Sequence, residues 1–142
     1  TIEGISEYLK GKNPNIKIIG FEPTSNACFS GGPKGKHKII GIGPGFKTDN
    51  FKRSTDRIDE IITVTDDDAL EHTRRIPRIE GLLVGVTSGA AVWVAEQLLQ
   101  RPEYKDPKKA VVVIFCDSGE RYLTTPGLFP ADNIDTSYLA TE

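Results

Sequence analysis

The chain has 142 residues, 37% of them hydrophobic, and a formal net charge of −2. That size suits one domain with a core of its own, and the interspersed charge excludes a basic nucleic-acid surface. No apolar run approaches the length needed to cross a bilayer.

Ile2, Ile5, Tyr8 and Leu9 recur at helical spacing, and Gly11 followed by Pro14 stops that helix. Ile16 to Phe21 is rich in β-branched residues and meets Glu22-Pro23, a strand ending at a loop. Ser30-Gly31-Gly32-Pro33-Lys34-Gly35 reads as an exposed loop. Lys34, Lys36 and Lys38 around His37 form a short basic cluster that is expected to be solvated. After them Ile39-Ile40-Gly41-Ile42-Gly43-Pro44-Gly45 is an apolar segment dissolving into glycines. Asp59 to Val64 is a second strand, and Thr65 before three aspartates caps the next helix. Pro77 should kink or end that helix.

Gly81 resets the chain for a third strand running to Val86. Thr87-Ser88-Gly89 then opens an apolar helix carrying Ala90, Ala91, Val94, Ala95, Leu98 and Leu99, whose small face can pack on a sheet. A strand's carboxyl end meeting a helix N-terminus is where ligands bind in open α/β sheets; the plainer alternative is that Thr87 or Ser88 caps the helix. Ala110 to Cys116 is a continuous apolar strand of the kind buried on both faces of a parallel sheet. It leads into Asp117-Ser118-Gly119-Glu120-Arg121-Tyr122, in which Asp117, Ser118, Glu120 and Arg121 could form a charged hydrogen-bond cluster fixing its end. Strands alternating with helices predict an α/β fold. Cys28, Cys116, His37 and His72 have no metal-ligand spacing, so no metal is expected. Two cysteines without a disulfide framework suit the cytoplasm, and the opening residues read as neither a signal nor a transit peptide.

Four blocks carry a family resemblance, in order: Glu22-Pro23 with Ser30-Gly31-Gly32; His37 to Phe46; Gly81 to Val92; and Asp117 to Thr125. Together they resemble O-acetylserine sulfhydrylase, or cysteine synthase, among the fold-type II pyridoxal-phosphate enzymes. The resemblance implies a three-layer α/β/α open, mostly parallel sheet. Residues 1–130 would be the C-terminal part of the cofactor-binding large domain, and 131–142 a tail. Thr1, before Ile2-Glu3-Gly4, resembles the last threonine of the family's phosphate-binding loop. Thr87 takes the place of the serine that hydrogen-bonds the pyridine nitrogen. Gly41, Ile42 and Gly43 correspond to the loop lining the substrate entrance, and Cys116 to the usual proline beside the cofactor ring. As a buried thiol, Cys116 would act as a small apolar residue.

The activity implied is β-replacement, in which O-acetyl-L-serine and sulfide give L-cysteine and acetate, by a homodimer when intact. The entrance loop also receives the tail of serine acetyltransferase in that family, but here Ile40 and Pro44 depart from the common pattern. The Schiff-base lysine of a Ser-Val-Lys-Asp-Arg-like segment and the Thr-Ser-Gly-Asn-like substrate loop have no counterpart in these 142 residues. The expectation is therefore a fragment of a longer enzyme, with no catalytic residue of its own and inactive alone. A cystathionine β-synthase-like enzyme and a non-catalytic binding module derived from this fold are the alternatives.

Overall fold

The computed structural model describes residues 1–129; the tail expected at 131–142 lies outside them. Helix α1 (Ile2–Lys12) leads to strand β1 (Ile19–Pro23), then the short helix α2 (Asp49–Ser54) and strand β2 (Glu60–Val64). Helices α3 (Asp66–Glu80) and α4 (Val86–Gln100) follow, with single 3₁₀ turns at 24–26, 55–57, 102–104 and 119–122.

β1 and β2 pair in parallel, with Ile19 opposite Glu60 and Pro23 opposite Val64. Side chains alternate along a strand, and that period separates the layers. Gly20 turns toward α1, where an added Cβ would lie 3.3 Å from Ile2 Cδ1. Ile19 and Phe21 point the other way, into a core of Ile39, Val64, Leu70, Val86, Ala90 and Leu98. Thus α1 and α2 cover one face and α3 and α4 the other, a partial α/β/α domain on a small parallel sheet.

The outer layer is latched at Asp59. Its carboxylate accepts from the Ile18 N–H at 2.8 Å and pairs with Lys10 at 2.8 Å and Lys17 at 3.2 Å. Burial pushes the acid up, but the Ile18 N–H and the two lysines outweigh it and hold the carboxyl at about 2, below its ordinary 3.8. A depressed acid stabilises the fold above its unfolded value, and that contribution disappears as pH falls through the folded value. Chemical denaturation between pH 5 and pH 2 should therefore show Asp59 contributing on the order of 1 kcal/mol, allowing for solvent screening. Asp59→Asn should flatten that part of the profile; an unchanged slope would remove the latch.

On the inner layer, Thr65 caps α3 by accepting from the Asp68 N–H, and Asp66, Asp67 and Asp68 sit against the positive end of its dipole. Pro77, expected to kink or end this helix, does not terminate it. It lies in the last turn, and the chain runs on to Glu80 before Gly81 closes it at φ 70°. Only the bond to the Thr73 carbonyl is forgone there, so the disruption is small.

Two predicted strands are not formed. Leu82 to Val86 contributes a single antiparallel bridge, Val84 to Ser118, and Val86 is already helical. The run 110–116 is irregular, with Val112 83% exposed, and no described strand lies beside it. Apolar character alone does not make a strand; its N–H and C=O groups need a neighbour. The first strand starts at Ile19 rather than Ile16, because Asn13 and Asn15 hold a turn before it. The small face of α4 meets α3 more than the sheet. Gly89 has no room for a Cβ against Thr73 Oγ1 and lies against the Ala69 carbonyl. Beyond that crossing, His72 spans to Glu96 at 3.1 Å, with Arg75 on the same carboxylate at 3.2 Å.

Candidate active site

The residues from 83 to 89 are shaped by a clasp. Gly119 N donates to the Leu83 carbonyl at 3.2 Å, and Gly85 N donates to the Asp117 carbonyl at 3.1 Å. Gly85 is required by contact: a Cβ there would strike Asp117 Oδ1 and reach 2.7 Å from Tyr122 Cε2. In the charged cluster expected of Asp117, Ser118, Glu120 and Arg121, a bond from Ser118 and the charge of Arg121 hold the Glu120 carboxyl below its ordinary value, while Asp117 Oδ2 accepts from the Tyr122 hydroxyl at 2.6 Å. That bond, burial and the carboxylate's charge push the Tyr122 hydroxyl up to about 12. A raised acid of this kind stabilises the fold below its ordinary 10 and ceases to do so as pH climbs through 12. Tyr122→Phe should cost about 1–2 kcal/mol at neutral pH by denaturant titration, because Asp117 Oδ1 already lacks a partner. No loss would mean the clasp is held by backbone alone.

Gly85 is the N-cap of α4, and no side chain caps it. The capping role considered for Thr87 and Ser88 is thus corrected: both lie inside the first turn. Ser88 N and Gly89 N donate to the Gly85 carbonyl at 3.0 and 3.2 Å, so the Val86 and Thr87 amides precede the first intrahelical bond. Thr87 is 7% exposed. Ser88 is fully buried, and its hydroxyl has no hydrogen-bond partner among the described residues.

Gly41, at φ 100°, turns the preceding loop against this helix. An added Cβ would sit 3.9 Å from Thr87 Cγ2. Ile42 is half-buried against the core. Gly43, at φ 62°, presents its carbonyl to two donors: Asn26 Nδ2 at 2.6 Å and His37 Nε2 at 3.1 Å. Glu22 is buried, and its carboxylate accepts from Phe29 N, Ser30 N and Ser30 Oγ, holding the loop that follows β1.

Gly41 and Thr87 are therefore the sequence-predicted residues the structure brings together. Thr1 is exposed at the head of α1, its hydroxyl making no cap bond. Cys116 is exposed, not buried as expected, because the run before it is uncovered. Lys34, Lys36 and Lys38 are exposed, as expected of a solvated cluster. Neither the cleft beside Phe29, Phe51 and Glu60 nor the one beside Thr24, Thr65 and Asp66 is lined by Thr87. Among the described residues no cluster could hold a metal ion, and no helix is long and apolar enough to cross a membrane. Sequence reasoning missed Asn26 and His37 as loop anchors, since side-chain bonds to a backbone carbonyl 17 and 6 residues away leave no pattern of residue types.

Residues 1–117 match the family described as "Pyridoxal-phosphate dependent enzyme". Cysteine synthase of Staphylococcus aureus (strain Mu50 / ATCC 700699) is 40% identical over 126 residues, covering 89% of this chain and 39% of that protein. The O-acetyl serine sulfhydrylase isoform 3 structure from Entamoeba histolytica superposes with a TM-score of 0.85 at 37% identity, over 96% of this chain and 38% of that one. The O-acetylserine dependent cystathionine beta-synthase structure from Helicobacter pylori gives 0.74 at 35%, over 87% and 39%. This chain spans about two-fifths of the length of the curated relatives it matches. With the layered fold, the glycine loop and the hydroxyl-bearing first turn of α4 in place, the chain belongs to the pyridoxal-phosphate dependent enzymes, among the O-acetylserine sulfhydrylase-like members of fold type II.

Proposed function

We propose that this chain forms one wall of the active site of a cysteine synthase-like enzyme that converts O-acetyl-L-serine and sulfide to L-cysteine and acetate. The carrying observation is the Thr87 side chain in the first turn of α4 with Gly41 packed beside it. These residues suit the family's cofactor: a neutral hydroxyl for the ring nitrogen, helix amides without intrahelical partners, and a glycine turn that leaves room for substrate. When bound, pyridoxal phosphate supplies the electron sink that lets the substrate's α-proton and β-acetoxy group depart.

The residues of this chain bind and orient. The Thr87 hydroxyl would donate to the ring nitrogen and keep its own proton, because an alcohol is far too weak an acid to release it. Thr1 would add one hydroxyl to the phosphate at the head of α1. Gly41, Ile42 and Gly43 border the substrate's approach, and Cys116 precedes the residue whose carbonyl holds the Gly85 N–H. The β-carbon exchanges its acetate oxygen for the sulfur of hydrosulfide, with acetate leaving. A lysine outside these 142 residues would move the α-proton, so the isolated chain should be inactive. A dimer in the cytoplasm is the assembly and compartment this reading implies.

A second reading, homocysteine in place of sulfide, is favoured by the likeness to the Helicobacter pylori enzyme. The polypeptide carrying these residues, loaded with pyridoxal phosphate, should be assayed with O-acetyl-L-serine and either sulfide or homocysteine. Cysteine from sulfide supports the first reading, and cystathionine alone supports the second. Bound cofactor with neither product would reject both.

A further inference from the structure

We infer that Asn26 and His37 are positioning residues that set the entrance loop against Thr87, by jointly holding the Gly43 carbonyl. This rests on the reading of Gly41–Gly43 as the substrate entrance. Two donors converge on one oxygen, Asn26 Nδ2 at 2.6 Å and His37 Nε2 at 3.1 Å. Asn26 is 5% exposed. Its amide orientation is set from both ends: the NH₂ must face a carbonyl, which leaves Oδ1 to accept from Cys28 Sγ at 3.4 Å. His37 is constrained in the same way. Facing a carbonyl, Nε2 must be the donor, while Nδ1 is buried and without a partner among the described residues.

Gly43 has no lateral freedom either. A Cβ there would meet His37 Nε2 at 2.9 Å and the Pro23 ring at 3.0 Å, and φ is 62°. Two residues earlier, Gly41 lies beside Thr87; between them, Ile42 is held in the core. Fixing the Gly43 carbonyl therefore fixes the height of the Gly41 turn over α4. Among the described residues neither anchor hydrogen-bonds Thr87, so each acts through the loop. Losing an anchor should widen the set of loop positions and weaken substrate capture, leaving cofactor retention and the later steps little changed.

The test compares wild type, Asn26→Asp, His37→Phe and His37→Gln in the polypeptide carrying these residues, with pyridoxal phosphate bound. Asn26→Asp keeps the shape but sets a carboxylate oxygen against the carbonyl. His37→Gln keeps a donor. Expected results are a KM for O-acetyl-L-serine about tenfold higher in Asn26→Asp and His37→Phe, with kcat within twofold and cofactor content unchanged. His37→Gln should stay within about threefold of wild type.

Tryptic cleavage after Lys38 and Lys47, the exposed lysines flanking the loop, should quicken at least fivefold in the first two variants. An unchanged KM with unchanged cleavage overturns the inference, as does a KM that rises equally in His37→Gln. If wild type makes no product, the functional reading fails, and the cleavage rates alone decide the positioning role. Should Asn26→Asp not fold, Asn26→Leu, of similar volume and with no donor, takes its place with the same expectations.

Discussion

Thr87→Asp should lower turnover of the cofactor-loaded enzyme about a hundredfold, against about fivefold for Thr87→Ala. The difference is a matter of charge. If Thr87 holds the ring nitrogen as proposed, alanine removes one neutral hydrogen bond, on the order of 1 kcal/mol, so the cofactor should bind less tightly and the rate fall modestly. Aspartate substitutes a charge-assisted bond of about 1.5–3 kcal/mol that holds a proton on the ring nitrogen, which changes the electron demand during elimination. At 1.36 kcal/mol per decade, that reaches two orders of magnitude. Thr87 is 7% exposed, so thermal midpoints must accompany the rates, and Thr87→Ser is expected to remain close to wild type. Equal and negligible effects from alanine and aspartate would reduce Thr87 to an ordinary helical residue.

The largest effect on stability is expected at Gly89. An alanine methyl there would overlap Thr73 Oγ1 and come within 2.5 Å of the Ala69 carbonyl and 2.6 Å of Thr73 N. Backbone atoms of α3 cannot swing aside as a side-chain end can, so α3 and α4 must separate. Both carry the buried core, which includes Leu70, Ala90, Val94 and Leu98. Gly89→Ala should therefore cost about 3 kcal/mol, lowering the melting temperature by roughly 10 °C. Thr73→Ala should restore part of the loss by removing one of the obstructing atoms. A cost under about 1 kcal/mol would mean the helices cross less closely than described.

Sequence signals are legible where one short-range interaction decides the structure. The Thr65 cap with its three aspartates placed α3 correctly, and Gly11 with Pro14 marked the end of α1 to within two residues. The Asp59–Val64 strand needed only one neighbour, β1, and has it. The apolar runs at 82–86 and 110–116 are not strands for a single reason: composition reports burial, whereas a strand exists only through hydrogen bonds to another chain segment. Thr87 stood out because a hydroxyl pair and a glycine interrupt an apolar stretch. Its first-turn placement, rather than a capping one, depended on Asp117 reaching back across more than thirty residues to take the Gly85 N–H. The anchors of Gly43, 17 and 6 residues before it, leave no mark either, because a side-chain bond to a backbone carbonyl does not show in composition or periodicity. Glu22 beside Pro23 could have been suspected, since an acid ending a buried strand must find donors.

The uncovered ribbon from 110 to 116 has a consequence for how this polypeptide should be handled. Val112, Ile114 and Phe115 stand open to water in a β-prone stretch with no acidic or basic side chain to deter self-association. Copies brought to high concentration before a neighbouring strand has docked would template one another edge to edge. Recovery of soluble material should then fall steeply with expression level, and a lysine placed at Val112 should relieve it.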